Sequence, residues 1–199
     1  MQMSAITISR QLGSLGDEVA QAVAERLNYQ VVSRELINEA AIRCGAPEMA
    51  LALIDDLGLL SIHPSARARR AFLETIDKVV KELAEEGRVV IVGRAGQMIL
   101  RGQPDVLHAK VIAPSAVRAE RIASQLGIPL DAARAQITAS DKSRRYYLKR
   151  YYHVRWDDPE LYDLIVNTSR LLPEKAADII CKTFAQCLPE LDLDDSLEQ

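Results

Sequence analysis

The sequence is short of the residues that mark several protein classes. It holds three cysteines, Cys44, Cys181 and Cys187, and none forms a CxxC pair. Neither a disulfide framework nor a cysteine-based zinc site is therefore suggested. The three histidines, His63, His108 and His153, are scattered without ligand spacing. Long apolar runs are missing: a stretch such as "VVIV" is far below the roughly 18 residues of a membrane span. Nothing resembles a signal peptide. A reduced cytoplasmic protein is the expectation. There is no excess of positive charge either. The formal net charge is −3, which argues against general polyanion binding and disfavours nucleic acid as a partner.

What is there is ordinary for a soluble domain. The chain is 48% hydrophobic and 27% charged over 199 residues, enough for one domain with a real core. Strand-like and helix-like patterns alternate. Ala5 to Ile8 reads as a buried strand. Gly16 to Leu27 reads as a helix with Val19, Ala20, Val23, Ala24 and Leu27 on one face. Tyr29 to Val32 is a second strand. Helices are predicted from Arg34 to Gly45, from Ala46 to Leu60, and from a Ser65 cap to Glu86, where Gly87 ends the last. Arg88 to Val92 and Val106 to Ile112 are strands three and four, the former apolar enough to be buried on both faces. Helices follow over Pro114 to Leu126, closed by Gly127, and over Pro129 to Arg150. Leu161 to Val166 is the fifth strand and Pro173 to Cys187 the last helix. Five strands separated by helices predict an α/β fold of three αβα layers with a five-stranded parallel sheet. The tail after Pro189 carries five acids and no base, and is expected to be frayed.

Three stretches carry chemistry. The first is "ITISRQLGSLGDEVAQAVAERL", residues 6 to 27. In such a strand–loop–helix unit, glycines let backbone N–H groups converge on phosphate oxygens. The helix start adds a partial positive charge of about half a unit. Gly13 and Gly16 supply that geometry, with Ser14 and Leu15 between them. The full pattern GxxxxGK[ST] is not met. Aligned on Gly16, its first glycine becomes Gln11, its lysine Asp17 and its hydroxyl residue Glu18. The plain alternative is that Asp17 and Glu18 only stabilise the first helical turn, by about 0.3–1 kcal/mol.

The second is "VIVGRAGQMIL", which puts Gly93 and Arg94 directly after the third strand. In a parallel sheet that carboxyl end is where ligands bind. A solvated arginine at a helix start is the competing reading. The third runs from residue 139 to 171. Asp141 precedes Arg144 by three residues and Arg145 by four, so they share adjoining helix faces. Six basic residues lie between Lys142 and Arg155, and four of the six tyrosines and the single tryptophan lie between Tyr146 and Trp156. This is either a charged surface helix with a tyrosine stripe on the core, or a basic lid over phosphates.

In this order the three stretches resemble the cytidylate kinase-like family, a branch of the nucleoside monophosphate kinases. The resemblance runs from Ile6 to about Cys187. It rests on "ITISRQLGSLGDEVA", on "SRELI" at Ser33 to Ile37, on "VIVGR" at Val90 to Arg94, and on the stretch from Asp141 through Trp156, Asp157, Pro159, Tyr162, Asp163, Asn167 and Thr168 to Leu171. It implies a P-loop kinase-like domain over residues 1–189, with a helical monophosphate-binding region near 33–87 and a lid near 129–156. The acidic tail covers 190–199. The implied reaction moves the γ-phosphoryl of ATP, with Mg²⁺, to a small phosphate acceptor such as CMP. Gly13 to Glu18 would wrap the donor phosphates. Arg34 and Arg94 would face the acceptor phosphate. Asp141 and Arg144 match a lid aspartate–arginine pair, with Arg145, Lys149 and Arg150 beside them. Arg94, Asp141 and Arg144 are thus the catalytic candidates.

The sequence also departs from the family pattern. Asp17 stands where a cation is expected. Exchanging a cation for an anion costs about 1–4 kcal/mol per interaction at about 4 Å. Arg10, just before the loop, is the candidate substitute, and Glu18 with Asp17 a candidate Mg²⁺ ligand. Ser33 replaces an expected aspartate, and no acid precedes Gly93. Two readings therefore stand: a nucleotide kinase, or a non-catalytic nucleotide- or phosphate-binding regulatory relative. A third, single-stranded nucleic acid held by stacking on the Tyr/Arg segment, is opposed by the acidic balance. A small-molecule nucleotide is the expected partner, without a membrane; a homodimer stays open.

Overall fold

The computed structural model describes residues 5–33, 36–37 and 65–187. The helices expected over 34–45 and 46–60, Arg34 and the acidic tail lie outside them. Five strands form one parallel sheet in the order β2-β3-β1-β4-β5. They are β1 (Ala5–Arg10), β2 (Gln30–Val32), β3 (Val89–Val92), β4 (Val106–Ile112) and β5 (Leu164–Asn167). The helices are α1 (Gly16–Leu27), α2 (Ala66–Glu86), α3 (Gly96–Ile99), α4 (Ser115–Leu126), α5 (Leu130–Tyr152) and α6 (Pro173–Cys187), with a 3₁₀ turn at Pro159–Leu161.

The layering follows from side-chain alternation. Successive residues of a strand face opposite ways. In β3, Val90 and Val92 join Ile6, Ile8, Val19, Val23, Ile180 and Phe184 under α1 and α6. Val89 and Ile91 of the same strand join Phe72, Ile76 and Val80 of α2 on the other face. A strand apolar on both sides needs cover on both, and the helices provide it. The result is a three-layer αβα sandwich with the central strands β3, β1 and β4 fully enclosed.

Helix α5 is 23 residues long, roughly 35 Å, and is fastened at two places. Ala133 and Ile137 pack on Ala119 and Ile122 of α4. Leu148 packs on Ala95, Trp156, Leu161 and Tyr162. Between these anchors the helix passes over the carboxyl ends of β1 and β3.

The start of β5 and the presence of α3 depart most from the sequence expectation. β5 starts at Leu164 rather than Leu161, because Asp158 accepts the Glu160 N–H at 3.1 Å and winds Pro159–Leu161 into a 3₁₀ turn. The short α3 carries too little periodicity to be read from sequence. No described helix is long and apolar enough to cross a membrane.

Candidate functional site

The site lies where ligands gather in open parallel sheets, at the carboxyl ends of the strands. Its first part is the loop between β1 and α1. The loop carbonyls are held from outside. Leu12 O accepts from Arg118 Nη1 at 3.3 Å, Gly13 O from Arg121 Nη1 at 3.3 Å, and Ser14 O from Thr168 Oγ1 at 2.6 Å. In a trans peptide the next N–H points opposite to the carbonyl. Fixing the Leu12 and Ser14 carbonyls outward therefore turns the Gly13 and Leu15 N–H groups the other way. Gly13 sits at φ 78°, and a Cβ there would lie 2.8 Å from Arg118 O, so only glycine fits. The first N–H groups of α1 have no acceptor within the helix. Together they form a backbone cradle suited to an anion.

The loop register differs from the sequence alignment by one residue. In a strand–GxxxxGK[ST]–helix unit the lysine and the hydroxyl residue open the helix. Here the helix opens with Gly16 and Asp17, and Leu15, at φ 60°, is the left-handed N-cap. The lysine slot therefore falls on Gly16 and not on Asp17; Asp17 takes the hydroxyl slot, and Arg10 the slot of the first glycine. The alignment on Gly16 followed the glycine pattern alone, whereas the left-handed residue before the helix is Leu15.

Arg10 then crosses the empty lysine slot. A Cβ at Gly16 would lie 2.3 Å from Arg10 Cβ and 2.7 Å from its Cγ. The Arg10 Nε donates to Asp17 Oδ1 at 3.0 Å. The arginine side chain is 11% exposed and the aspartate 71%, so solvent screens the pair, which contributes about 0–1 kcal/mol. Ser14 Oγ is turned inward and donates to Gln11 O at 2.8 Å. For a divalent cation bridging to phosphates, one or two carboxylates with water suffice. Asp17, in the slot that normally faces Mg²⁺, and Glu18, exposed beside it, supply that oxygen chemistry. Among the described residues no larger group of metal-ligating side chains occurs.

The second part is a cavity of about 90 Å³ lined by Ser9, Arg10, Arg94, Arg144, Tyr147 and Trp156, among others. Arg94 reaches it through an unusual turn. Gly93, Arg94 and Ala95 all have positive φ, at 84°, 48° and 55°. Two consecutive non-glycine residues in the left-handed region cost about 1–2 kcal/mol each. Such outliers concentrate at ligand sites. Arg144 donates from Nη1 to Ser140 O at 3.2 Å and to Ser140 Oγ, and its Cζ lies 5.9 Å from the Trp156 ring centre. Tyr147 Oη is buried, which pushes its pKa up, with the nearby Arg94 charge opposing. A second cavity, about 410 Å³, opens between α2 and the end of α5, lined by Arg70, Glu74, Asp77, Arg150, Tyr151 and Tyr152. Tyr147 stands between the two, with ring centres 5.0 Å from Tyr151 and 6.1 Å from Tyr152.

The other sequence candidates lie elsewhere. Asp141 does not pair with Arg144. It is buried and receives two bonds from Arg118, Nη1 to Oδ1 at 3.2 Å and Nη2 to Oδ2 at 2.9 Å. Arg118 also bonds Leu12 O and Ala113 O, so Asp141 supports the loop from behind, outside the cavity lining. Arg145 is half exposed and donates from Nε to Asp157 Oδ2 at 2.7 Å. Lys149 is exposed on α5.

Residues that the sequence reading passed over hold the site together. Lys110 is buried in β4, donates to Trp156 O at 2.7 Å, lies 3.8 Å from Asp157 Oδ1, and faces the rings of Trp156 and Tyr162 at 4.5 and 4.8 Å. Burial lowers its pKa, and Asp157 opposes that shift. Trp156 Nε1 in turn donates to Ser9 Oγ at 3.0 Å. A lysine inside the apolar run "VLHAKVIA" was the available signal. Arg118 and Arg121, three apart on α4, had no comparable mark.

The comparisons agree with this geometry. The model of the cytidylate kinase-like family matches residues 5–170. A cytidylate kinase of Sulfolobus acidocaldarius is 32% identical over 176 residues, 88% of this chain and 91% of that one. One of Methanopyrus kandleri is 36% identical over 113 residues, and the match spans 58% of its length. In fold, the chain is similar to an uncharacterized protein from Eubacterium ventriosum, at TM-score 0.73 and 24% identity, covering 92% of this chain and 98% of that one. It is also similar to a shikimate kinase from Acinetobacter baumannii, at TM-score 0.54 and 11% identity, covering 93% and 94%. The chain has the P-loop kinase fold and belongs to the cytidylate kinase-like family.

Proposed function

We propose that the protein transfers the γ-phosphoryl group of ATP to a nucleoside monophosphate, with CMP the first candidate. The observation that carries this reading is the convergence of Arg10, Arg94 and Arg144 on one small cavity beside an anion-binding loop. At about 90 Å³ the cavity suits a phosphate group and not a nucleoside. The neighbouring cavity of about 410 Å³ has room for the nucleoside part, with Asp77 and Glu74 to accept from its donors and Tyr151 as an aromatic wall. The relatives called cytidylate kinase favour CMP.

In this reading the loop N–H groups bind the donor phosphates. Arg94 grips the acceptor phosphate through two parallel N–H bonds, with Arg144 beside it and Arg34 as a further candidate. An acceptor phosphate oxygen attacks the γ-phosphorus, and the bond to the β-phosphate oxygen breaks. The products are ADP and a nucleoside diphosphate. The protein contributes positioning and charge neutralisation and forms no covalent intermediate. Mg²⁺, held through Asp17 or Glu18, neutralises charge on the donor when bound. Arg145, Lys149 and the lid role of α5 belong to the same proposal, as does a cytoplasmic setting.

A second reading, a nucleotide-binding regulatory relative without transfer, is favoured by one observation: the loop has no lysine. A coupled assay of ADP release with ATP, Mg²⁺ and a panel of nucleoside monophosphates separates the two. The kinase reading expects acceptor-dependent ADP release, fastest with CMP. Nucleotide binding without ADP release for any acceptor would favour the regulatory reading.

A further inference from the structure

We propose that Arg10 is the donor-phosphate cation of this protein, replacing the lysine its phosphate loop lacks, and that Asp17 is the carboxylate on which it rests. This deepens the kinase reading and rests on it.

The lysine slot is occupied by glycine, and the Arg10 side chain runs through the volume that a side chain at Gly16 would enter, since a Cβ there would lie 2.3 Å from Arg10 Cβ. The glycine at 16 and the arginine at 10 are thus coupled: a lysine at 16 would collide with the arginine, and the arginine needs the glycine. The cation has moved from the start of α1 to the end of β1 while arriving over the same loop.

Arg10 carries a guanidinium, whose forked N–H donors match phosphate oxygens. Its Nε is on Asp17, and its Nη groups make no hydrogen bond among the described residues. The carboxylate it touches is mostly exposed, so water and salt weaken the pair. A di- or triphosphate laid in the backbone cradle offers more negative charge in a less exposed position. The arginine therefore gains by exchanging Asp17 for phosphate. Asp17 keeps the guanidinium near the loop while the site waits, which lowers the ordering cost when a nucleotide arrives.

Arg10 lines the cavity that also holds Arg94 and Arg144. A guanidinium there lies between the donor loop and the acceptor cavity, where the transferred group must pass. It donates hydrogen bonds and transfers no proton, so no bond forms or breaks on it.

The test is calorimetric titration with Mg²⁺-free ATP, and separately with CMP, of four proteins whose folding is checked by circular dichroism. They are the unmodified chain, Arg10→Gly, Asp17→Asn, and the double variant Arg10→Gly/Gly16→Lys. Arg10→Gly should weaken ATP binding about tenfold or more. Asp17→Asn should tighten it, because the competing carboxylate is gone. The double variant should recover most of the lost affinity, since its lysine enters the vacated slot. A residue that only fills space would give no such rescue. ATP binding unchanged in Arg10→Gly, or weakened in Asp17→Asn, overturns this proposal while leaving the kinase reading standing. An unmodified chain that binds CMP but no ATP overturns both.

Discussion

Arg118 and Asp141 form a buried two-point ion pair, at 3.2 and 2.9 Å, that joins α4 to α5 directly behind the phosphate loop. Each side chain is less than a tenth exposed. The pair therefore behaves differently from the solvent-screened Arg10–Asp17 contact. Removing one partner leaves the other charge buried and unpaired.

Asp141→Ala should accordingly destabilise the fold by about 3–5 kcal/mol. Urea unfolding of the variant checks this. The exposed Arg134–Asp131 pair on the same helix is the control. Asp131→Ala should change stability by less than about 1 kcal/mol. Equal, small effects for both variants would show that Asp141 is not a structural anchor.

Arg94→Lys should raise KM for the acceptor nucleotide about tenfold or more while leaving KM for ATP unchanged. A lysine keeps the charge but cannot make two parallel bonds to one phosphate. It also has to adopt the left-handed backbone at residue 94, as arginine does. Steady-state kinetics with each substrate varied in turn gives the split. An equal rise in both KM values would mean that Arg94 serves the site as a whole.

His108 supplies a pH-dependent term. It is buried in β4, and its Nδ1 lies 2.8 Å from Thr7 Oγ1. Burial pushes its pKa below the usual 6.5, and the Asp163 carboxylate opposes that shift. A depressed folded-state pKa means that the unfolded chain binds the proton more readily. The stability is present above pH 6.5 and is lost as the pH falls through the folded-state value. Between pH 7 and pH 5 the melting temperature of the unmodified protein should drop more than that of a His108→Gln variant. Parallel slopes would remove His108 as the cause.

Lys110→Met should loosen the segment that carries Trp156. The lysine supplies the 2.7 Å bond to Trp156 O and lies against two aromatic rings. Methionine fills much of the volume but removes the charged one of that carbonyl's two donors, leaving the Tyr162 Oη bond at 3.0 Å, at a cost of about 1.5–3 kcal/mol. Faster hydrogen exchange at residues 154–163, with little change in β1 and α1, is the expected result.

The sandwich was legible because its central strands are short β-branched runs that need no partner information. Val89 to Val92 reads as a buried strand from its residues alone, and α1 from the spacing of Val19, Ala20 and Val23. The site was legible only in outline. The sequence brings Arg94 to a strand end, but the turn that aims it depends on left-handed angles at Arg94 and Ala95 that no residue preference signals. The helix start that sets the loop register is hidden for the same reason, since Leu15 takes a left-handed conformation more usual for glycine. Asp141 has basic neighbours three and four residues on, which suggested local pairing. Its partner, Arg118, is 23 residues away and meets it only because α4 and α5 fold back on each other.

The most direct test of phosphoryl transfer by the arginine-lined site is a phosphorus magnetic resonance time course. ATP, Mg²⁺ and CMP are mixed with the unmodified protein and, separately, with Arg94→Ala. The account predicts that ADP and CDP signals grow together with the unmodified protein and fail to grow with the variant. Unchanged ATP and CMP, or ATP giving only ADP and inorganic phosphate, would contradict it.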